Sequence, residues 1–127
     1  MIKFLIYSQA CFYCIAGINH FLHPEFYLDL IPNYLFYPRQ INWISGLLEI
    51  ILAILFCIHK TRKIASIGII IMLVGFIPSH IYFIQIGSCI EGGLCTQPWV
   101  AWVRLLLIHP LFLIWAWYSG GLKLKIS

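Results

Sequence analysis

The sequence predicts an all-α integral membrane protein, a four-helix bundle with a short interfacial helix between spans one and two. Three observations carry that prediction. Hydrophobic residues make up 62% of the 127 and charged residues only 9%, with a mean hydropathy of +0.94, against roughly 25% charged in soluble domains. The apolar residues gather into four segments, near 4–22, 41–58, 64–86 and 99–118, each close to the roughly 20 residues that cross about 30 Å of hydrocarbon. The cations sit in the short connectors between them. There they act as topology signals, so the net charge of +4 does not point to nucleic acid, and none is expected as a partner.

The first segment follows Lys3, as a signal peptide would, but its apolar run is too long and no small-x-small cleavage site follows. It reads as a retained span. In the connector after it, Pro24 can start and Pro32 stop a short helix. Such a helix would turn Phe26, Tyr27, Leu30 and Ile31 toward lipid or bundle and Glu25 and Asp29 toward water, and would lie in the interface as a lid. Lys3, the cluster Lys60, Arg62 and Lys63, and Lys123 and Lys125 all fall on one side of a four-span layout, with Arg39 the only connector cation on the other. Both termini are therefore expected to be cytoplasmic, in a multi-pass protein of a bacterial cytoplasmic membrane. Aromatic residues mark the same boundaries, with Phe26, Tyr27, Tyr34, Phe36, Tyr37, Trp43, Tyr82 and Trp99 at the outer side and Trp115, Trp117 and Tyr118 at the inner. No repeat or low-complexity tract divides the chain, which reads as one domain over residues 1–127.

Five cysteines invite a redox reading. "CFYC", Cys11 to Cys14, has the oxidoreductase spacing, but such motifs work at an exposed helix N-terminus, where dipole and solvent stabilise a thiolate. Here the pair falls inside a span and reads as small apolar packing. Cys89 and Cys95 lie in the outer Gly-rich connector "GSCIEGGLC", where an oxidising side would allow a disulfide. Its first reading is structural, its second a thiol pair exchanging electrons with a quinone. Cys57 is expected to be a free thiol.

Polar residues inside the spans are costly in lipid and ask for a partner or a purpose. Counted inward from the outer ends at about 1.5 Å per residue, His20 lies roughly 5 Å deep, Arg104 and His80 roughly 9 Å and Glu49 roughly 11 Å. One comes from each span, all in the same half of the bilayer. Helical spacing puts Gln9, Tyr13, Gly17 and His20 on one stripe of span one, and Asn42, Ser45, Gly46, Glu49 and Ala53 on one stripe of span two. Span three carries Gly68, Met72, Gly75 and Ser79 beside His80, with a kink expected at Pro78. On span four Arg104 shares its face with Ala101, Ile108 and Trp115, and His109, before Pro110, points elsewhere.

Pairing Glu49 with Arg104 would neutralise both charges, with His20 and His80 as switchable donors around them. Alternatively one imidazole pairs with Glu49 while Arg104 reaches outward. Two readings of the layer stay open: a polar clasp that fixes helix neighbours, or a pocket opening to the outer leaflet that holds the polar head of an amphiphile. The candidate ligand-binding residues are His20, Glu49, His80, Arg104 and Asn19. A His20, His80 and Glu49 metal site is disfavoured by Arg104 at the same depth and by the lack of two ligands at helical spacing on one span, so no metal is expected.

Three stretches, "AGINHFLHPEFYLDLIPNYLFYP", "ISGLLEIILAILF" followed by "KTRKIA", and "GFIPSHIYF", resemble the DoxX-like family of small four-helix membrane proteins. The resemblance runs from about Tyr13 to Tyr118 and is carried most specifically by G-x-x-H-F-x-x-P-x-F-Y followed by S-G-x-x-E. It implies a four-span bundle with the polar positions inside. Members of that family are associated with quinone-linked sulfur oxidation and membrane oxidoreductase complexes, and more distant relatives with protein maturation. By position His20, Glu49 and Arg104 match the family's recurrent polar residues, whereas His80 and His109 stand where the family commonly has Asn and Gln.

The leading functional expectation is a membrane subunit of a redox system that binds a quinone or similar amphiphile in the outer-half pocket. Arg104 and His20 would hydrogen-bond the carbonyls and Glu49 or His80 would relay protons. The chain carries no evident electron carrier, so that role needs a protein partner. The rival expectation is a non-catalytic accessory subunit or assembly factor, in a larger complex or a homo-oligomer, whose polar cluster is structural. A third expectation, a transporter-like or lipid-handling protein, is disfavoured for a monomer by the absence of an inverted repeat or a broken helix pair.

Overall fold

The computed structural model describes residues 1–122, and these are helical throughout apart from turns and two connectors. Helix α1 spans Ile2–Leu22, α2 Pro24–Leu28, α3 Pro38–Cys57 and α4 Arg62–Gln85. Helix α5 runs over Pro98–Ser119 and contains a π-helical stretch at Arg104–Ile108. Helices α3, α4 and α5 are each long and apolar enough to cross a membrane. Helix α1 matches them with 21 residues but carries Lys3, Gln9, Asn19 and His20. Lys123 and Lys125, counted above for topology, lie outside the described residues.

Prolines set most of the helix starts. Pro24, Pro38 and Pro98 each occupy the first turn of their helix, where a missing N–H leaves nothing unsatisfied and the fixed φ is already helical. Pro24 also ends α1, since the residue before a proline is driven out of the α region: His23 has φ −132° and ψ 62°. The tight turn from α3 to α4 is held by side chains. Arg62 donates from Nε to the Phe56 carbonyl at 2.9 Å and from Nη2 to that of Cys57 at 3.0 Å. Thr61 Oγ1 donates to the Leu55 carbonyl at 2.7 Å. Three carbonyls of the last turn of α3 are thus met by side chains, two of them by a cation suited to the negative helix terminus.

The four long helices close into a ring, α1 against α3, α3 against α4, α4 against α5, and α5 back against α1. The most intimate of these contacts is α1 on α3. A Cβ on Gly17 would stand 2.7 Å from the Gly46 carbonyl oxygen, and one on Gly46 would stand 2.6 Å from His20 Cβ, so only glycine permits this crossing. Small residues let helix backbones approach where lipid supplies no hydrophobic drive between them. Toward the chain termini the core is filled by Ile6, Ala10, Tyr13, Ala53, Phe56, Ala65, Ile69, Met72, Leu73 and Ala116. The outward faces carry Phe4, Ile15, Ile44, Ile64, Ile71, Leu106 and Ile114, all exposed, which is the surface that contact with a bilayer requires.

At the opposite end both connectors fold over the bundle. Leu30 from the α2 connector packs with Phe83 of α4 and Ala101 of α5, and with Ile90 and Leu94 from the loop between those helices. That loop is closed by a disulfide between Cys89 and Cys95 and by backbone hydrogen bonds from Ile90 to Leu94 at 2.8 Å and from Thr96 to Ser88 at 2.8 Å. Cys11 is exposed on the outer face of α1, and Cys14 and Cys57 are half-buried free thiols.

Candidate functional site

The α1 and α3 wall is organised by a missing proton donor. The carbonyl of His20 would normally accept from the N–H of residue 24, which is proline and has none. Asn42 of α3 fills the vacancy: its Nδ2 donates to the His20 carbonyl at 2.9 Å. That leaves Asn42 Oδ1 as an acceptor 2.6 Å from His20 Nδ1, so Nδ1 carries the ring proton and the lone pair of the neutral imidazole lies on Nε2. Nε2 faces Glu49 Oε2 across 3.7 Å, a gap too long for a direct hydrogen bond and suited to a bridging oxygen.

Helix α2 is clamped onto this wall. The Tyr27 ring stacks on the His20 imidazole with centroids 3.7 Å apart and 19° between planes, and its hydroxyl accepts from Asn19 Nδ2 at 2.9 Å. Burial, with the nearby Glu49 charge adding to it and the Asn19 bond opposing, holds the Tyr27 hydroxyl above its ordinary range of about 10. Asn19 is therefore spent on the lid tyrosine.

The α4 and α5 wall carries His80, Arg104 and His109. Arg104 Nη2 donates to His80 Nδ1 at 3.3 Å, and its guanidinium lies 5.6 Å from the centre of the Phe83 ring. A guanidinium only donates, so His80 Nδ1 is the acceptor. The His80 and His109 rings meet edge to face at 4.8 Å. Two expectations are corrected here. Glu49 and Arg104 form no ion pair: the carboxylate stands by His20 and the guanidinium by His80. His109 does not point elsewhere but lines the same cavity as Arg104. The reason is the π turn, in which the His109 N–H bonds to the Arg104 carbonyl, so residues five apart come onto one face, which regular helical spacing would separate. Pro110, unable to donate to the carbonyl four residues back, favours the wider turn.

Between the walls lies a cavity of about 520 Å³. It is lined by His20, Glu49, His80, Arg104 and His109, by Tyr13, Phe12 and Phe112 lower down, by Gly75, Pro78 and Ser79 of α4, and by Tyr27, Leu30 and Pro32 of the overlying connector. Among the residues that line it, Glu49 keeps a buried carboxylate oxygen, Oε2, without a hydrogen-bond partner. Glu49 is only 4% exposed. Native proteins bond more than nine-tenths of such groups. Among the described residues no three His, Cys, Asp or Glu side chains converge as metal ligands would.

Sequence reasoning placed His20, Glu49, His80 and Arg104 at one level, and all four line this one cavity. It did not assign Asn42, Tyr27, Tyr13 or His109 to the site. The signals for two of these were present: Pro24 four residues after His20 announces an open carbonyl, and Pro110 next to His109 announces a disturbed helix.

No curated protein and no solved structure matches the chain. One family model does, over residues 9–119, a span that holds the whole cavity. The chain belongs to that family, a domain of unknown function designated DUF8561.

Proposed function

We propose that this protein spans the membrane four times and receives the polar head of an amphiphile, a quinone or a molecule of similar build, in the cavity between its helices. The observation that carries this reading is a pair of charged groups left apart, the Glu49 carboxylate with its buried Oε2 unbonded and the Arg104 guanidinium with no carboxylate to meet it, on opposite walls of one space of about 520 Å³. A structural clasp would bond those groups to each other. A binding site leaves them for its ligand.

Helix α1 is the fourth span in this reading, because it matches the other three in length and crosses α3 at Gly17 and Gly46. An even number of spans puts Lys3 with Lys60, Arg62 and Lys63 on the cytoplasmic side. The lid, with Tyr27 over His20, then lies in the outer interface, and the cavity opens toward the outer leaflet. For a quinone, Arg104 supplies the fixed donor to a carbonyl oxygen, and the space between His20 Nε2 and Glu49 Oε2 admits a second oxygen and its proton. Quinone reduction takes two electrons, and a membrane partner of the redox class supplies them, consistent with the resemblance to DoxX-like proteins.

Native mass spectrometry of the purified protein tests the reading. A copurifying amphiphile is expected on the wild type and absent from Ala16→Trp, which fills the cavity from α1. An empty wild type that is also not stabilised by added short-chain quinone or lipid contradicts it.

A further inference from the structure

The charges around the cavity do not balance. Four acidic residues occur in the whole chain, Glu25, Asp29, Glu49 and Glu91, and of these only Glu49 lines the cavity. It stands on the α1 and α3 wall, with His20 Nε2 3.7 Å away. Among the described residues no carboxylate lies within ion-pair distance of Arg104. Its contacts are an imidazole nitrogen that acts as acceptor and the face of a phenyl ring. A guanidinium does not deprotonate in proteins, and an unpaired cation in an apolar bundle is costly. The wall thus offers a fixed positive charge and holds no anion to meet it.

We propose that the amphiphile's head is an oxyanion, a carboxylate or an alkyl phosphate, with Arg104 as its counter-ion. This rests on the reading that the cavity holds an amphiphile and departs from it in charge, an anionic head in place of the neutral quinone. One guanidinium nitrogen is occupied by His80, and the remaining N–H groups keep the fork geometry that suits two oxygens of one acid group. The apolar tail runs down toward Phe12 and Phe112, which line the lower cavity. Glu49, on the far wall beside His20, leaves the Arg104 side free of competing negative charge.

The test compares dodecanoate, dodecyl phosphate, dodecanol and decylbenzoquinone on wild-type protein by native mass spectrometry in a neutral maltoside at pH 8. At least one of the two anions should bind tenfold or more tightly than dodecanol, and which of the two leads distinguishes a fatty-acid source from a phospholipid one. Arg104→Gln should erase the preference for the anion, and Arg104→Lys should keep part of it. Equal binding of anion and alcohol by the wild type overturns the charge assignment while leaving an amphiphile site standing. Tighter binding of decylbenzoquinone than of either anion does the same in favour of a neutral quinone. Binding of none of the four overturns both readings. The wild-type comparison holds even where a variant does not fold.

Discussion

The bundle contains two polar layers built from similar residue types, and they differ in what their polar atoms meet. Near the chain termini Ser66 Oγ donates to the Ala116 carbonyl at 2.7 Å, Ser119 Oγ to Gln9 Oε1 at 2.7 Å, and Trp115 Nε1 to the Leu5 carbonyl at 3.0 Å. Ser66 and Trp115 spend their donors on a neighbouring helix, and Ser119 Oγ lies between Gln9 Oε1 and the Trp115 carbonyl of its own helix, with Gln9 Nε2 the atom left over. Toward the connectors, Glu49 keeps a buried carboxylate oxygen unbonded and Arg104 meets no carboxylate, on either side of an open space. The first layer contains little but side chains holding helices together. The second surrounds an open cavity. Burial of polar groups in membrane helices therefore does not by itself distinguish clasp from site; the bonding of each atom does.

What the layers share is their dependence on close helix approach, and the largest effects are expected there. Gly46→Leu drives a side chain into His20 Cβ and the Gly17 carbonyl, and Gly120→Leu drives one into Ser66 and the Ala116 carbonyl. Each should destabilise by about 3 kcal/mol or more, seen as loss of monodisperse protein in detergent. If one layer tolerates its leucine, the two are not equivalently packed. Removing the disulfide with Cys89→Ala and Cys95→Ala should cost about 2 kcal/mol, given the small loop it closes. The loss should appear in hydrogen exchange of residues 86–97 and in lid contacts through Ile90 and Leu94, and the terminal layer should be unaffected.

Smaller effects separate the layers. Ser66→Ala removes a bond between α4 and α5 and should lower stability by about 1 kcal/mol, measured as a shift of the thermal midpoint. Glu49→Gln removes a charge whose Oε2 has no bond to lose, so ligand-free stability should change by less than about 0.5 kcal/mol or rise. A loss from Glu49→Gln as large as that from Ser66→Ala would make the upper layer a clasp like the lower one.

The shared level of His20, Glu49, His80 and Arg104 was legible in the sequence because depth follows from counting residues at a constant rise. The pairings were not. Charge alone joins Glu49 to Arg104, but which side chains meet depends on helix rotation, and α1 and α3 are locked in rotation by Gly17 against Gly46 and by Asn42 filling the gap that Pro24 leaves. His109 was misplaced because a uniform angle per residue does not hold across Arg104–Ile108. The short helix after Pro24 was legible from its prolines, whereas the stacking of Tyr27 on His20 depends on the whole connector returning over the bundle. The spacing of Cys89 and Cys95 allowed a bridge without showing that its loop would pack against Leu30.

The central claim is that the upper layer encloses a ligand. Thermal unfolding of wild-type and Glu49→Gln protein, each with its copurifying amphiphile and after its removal, tests this most directly. The account predicts that wild-type protein loses stability when the amphiphile is removed, and that Glu49→Gln, once stripped, is at least as stable as stripped wild type. Stripping that leaves wild-type stability unchanged, together with a Glu49→Gln protein that unfolds earlier than either, would contradict it.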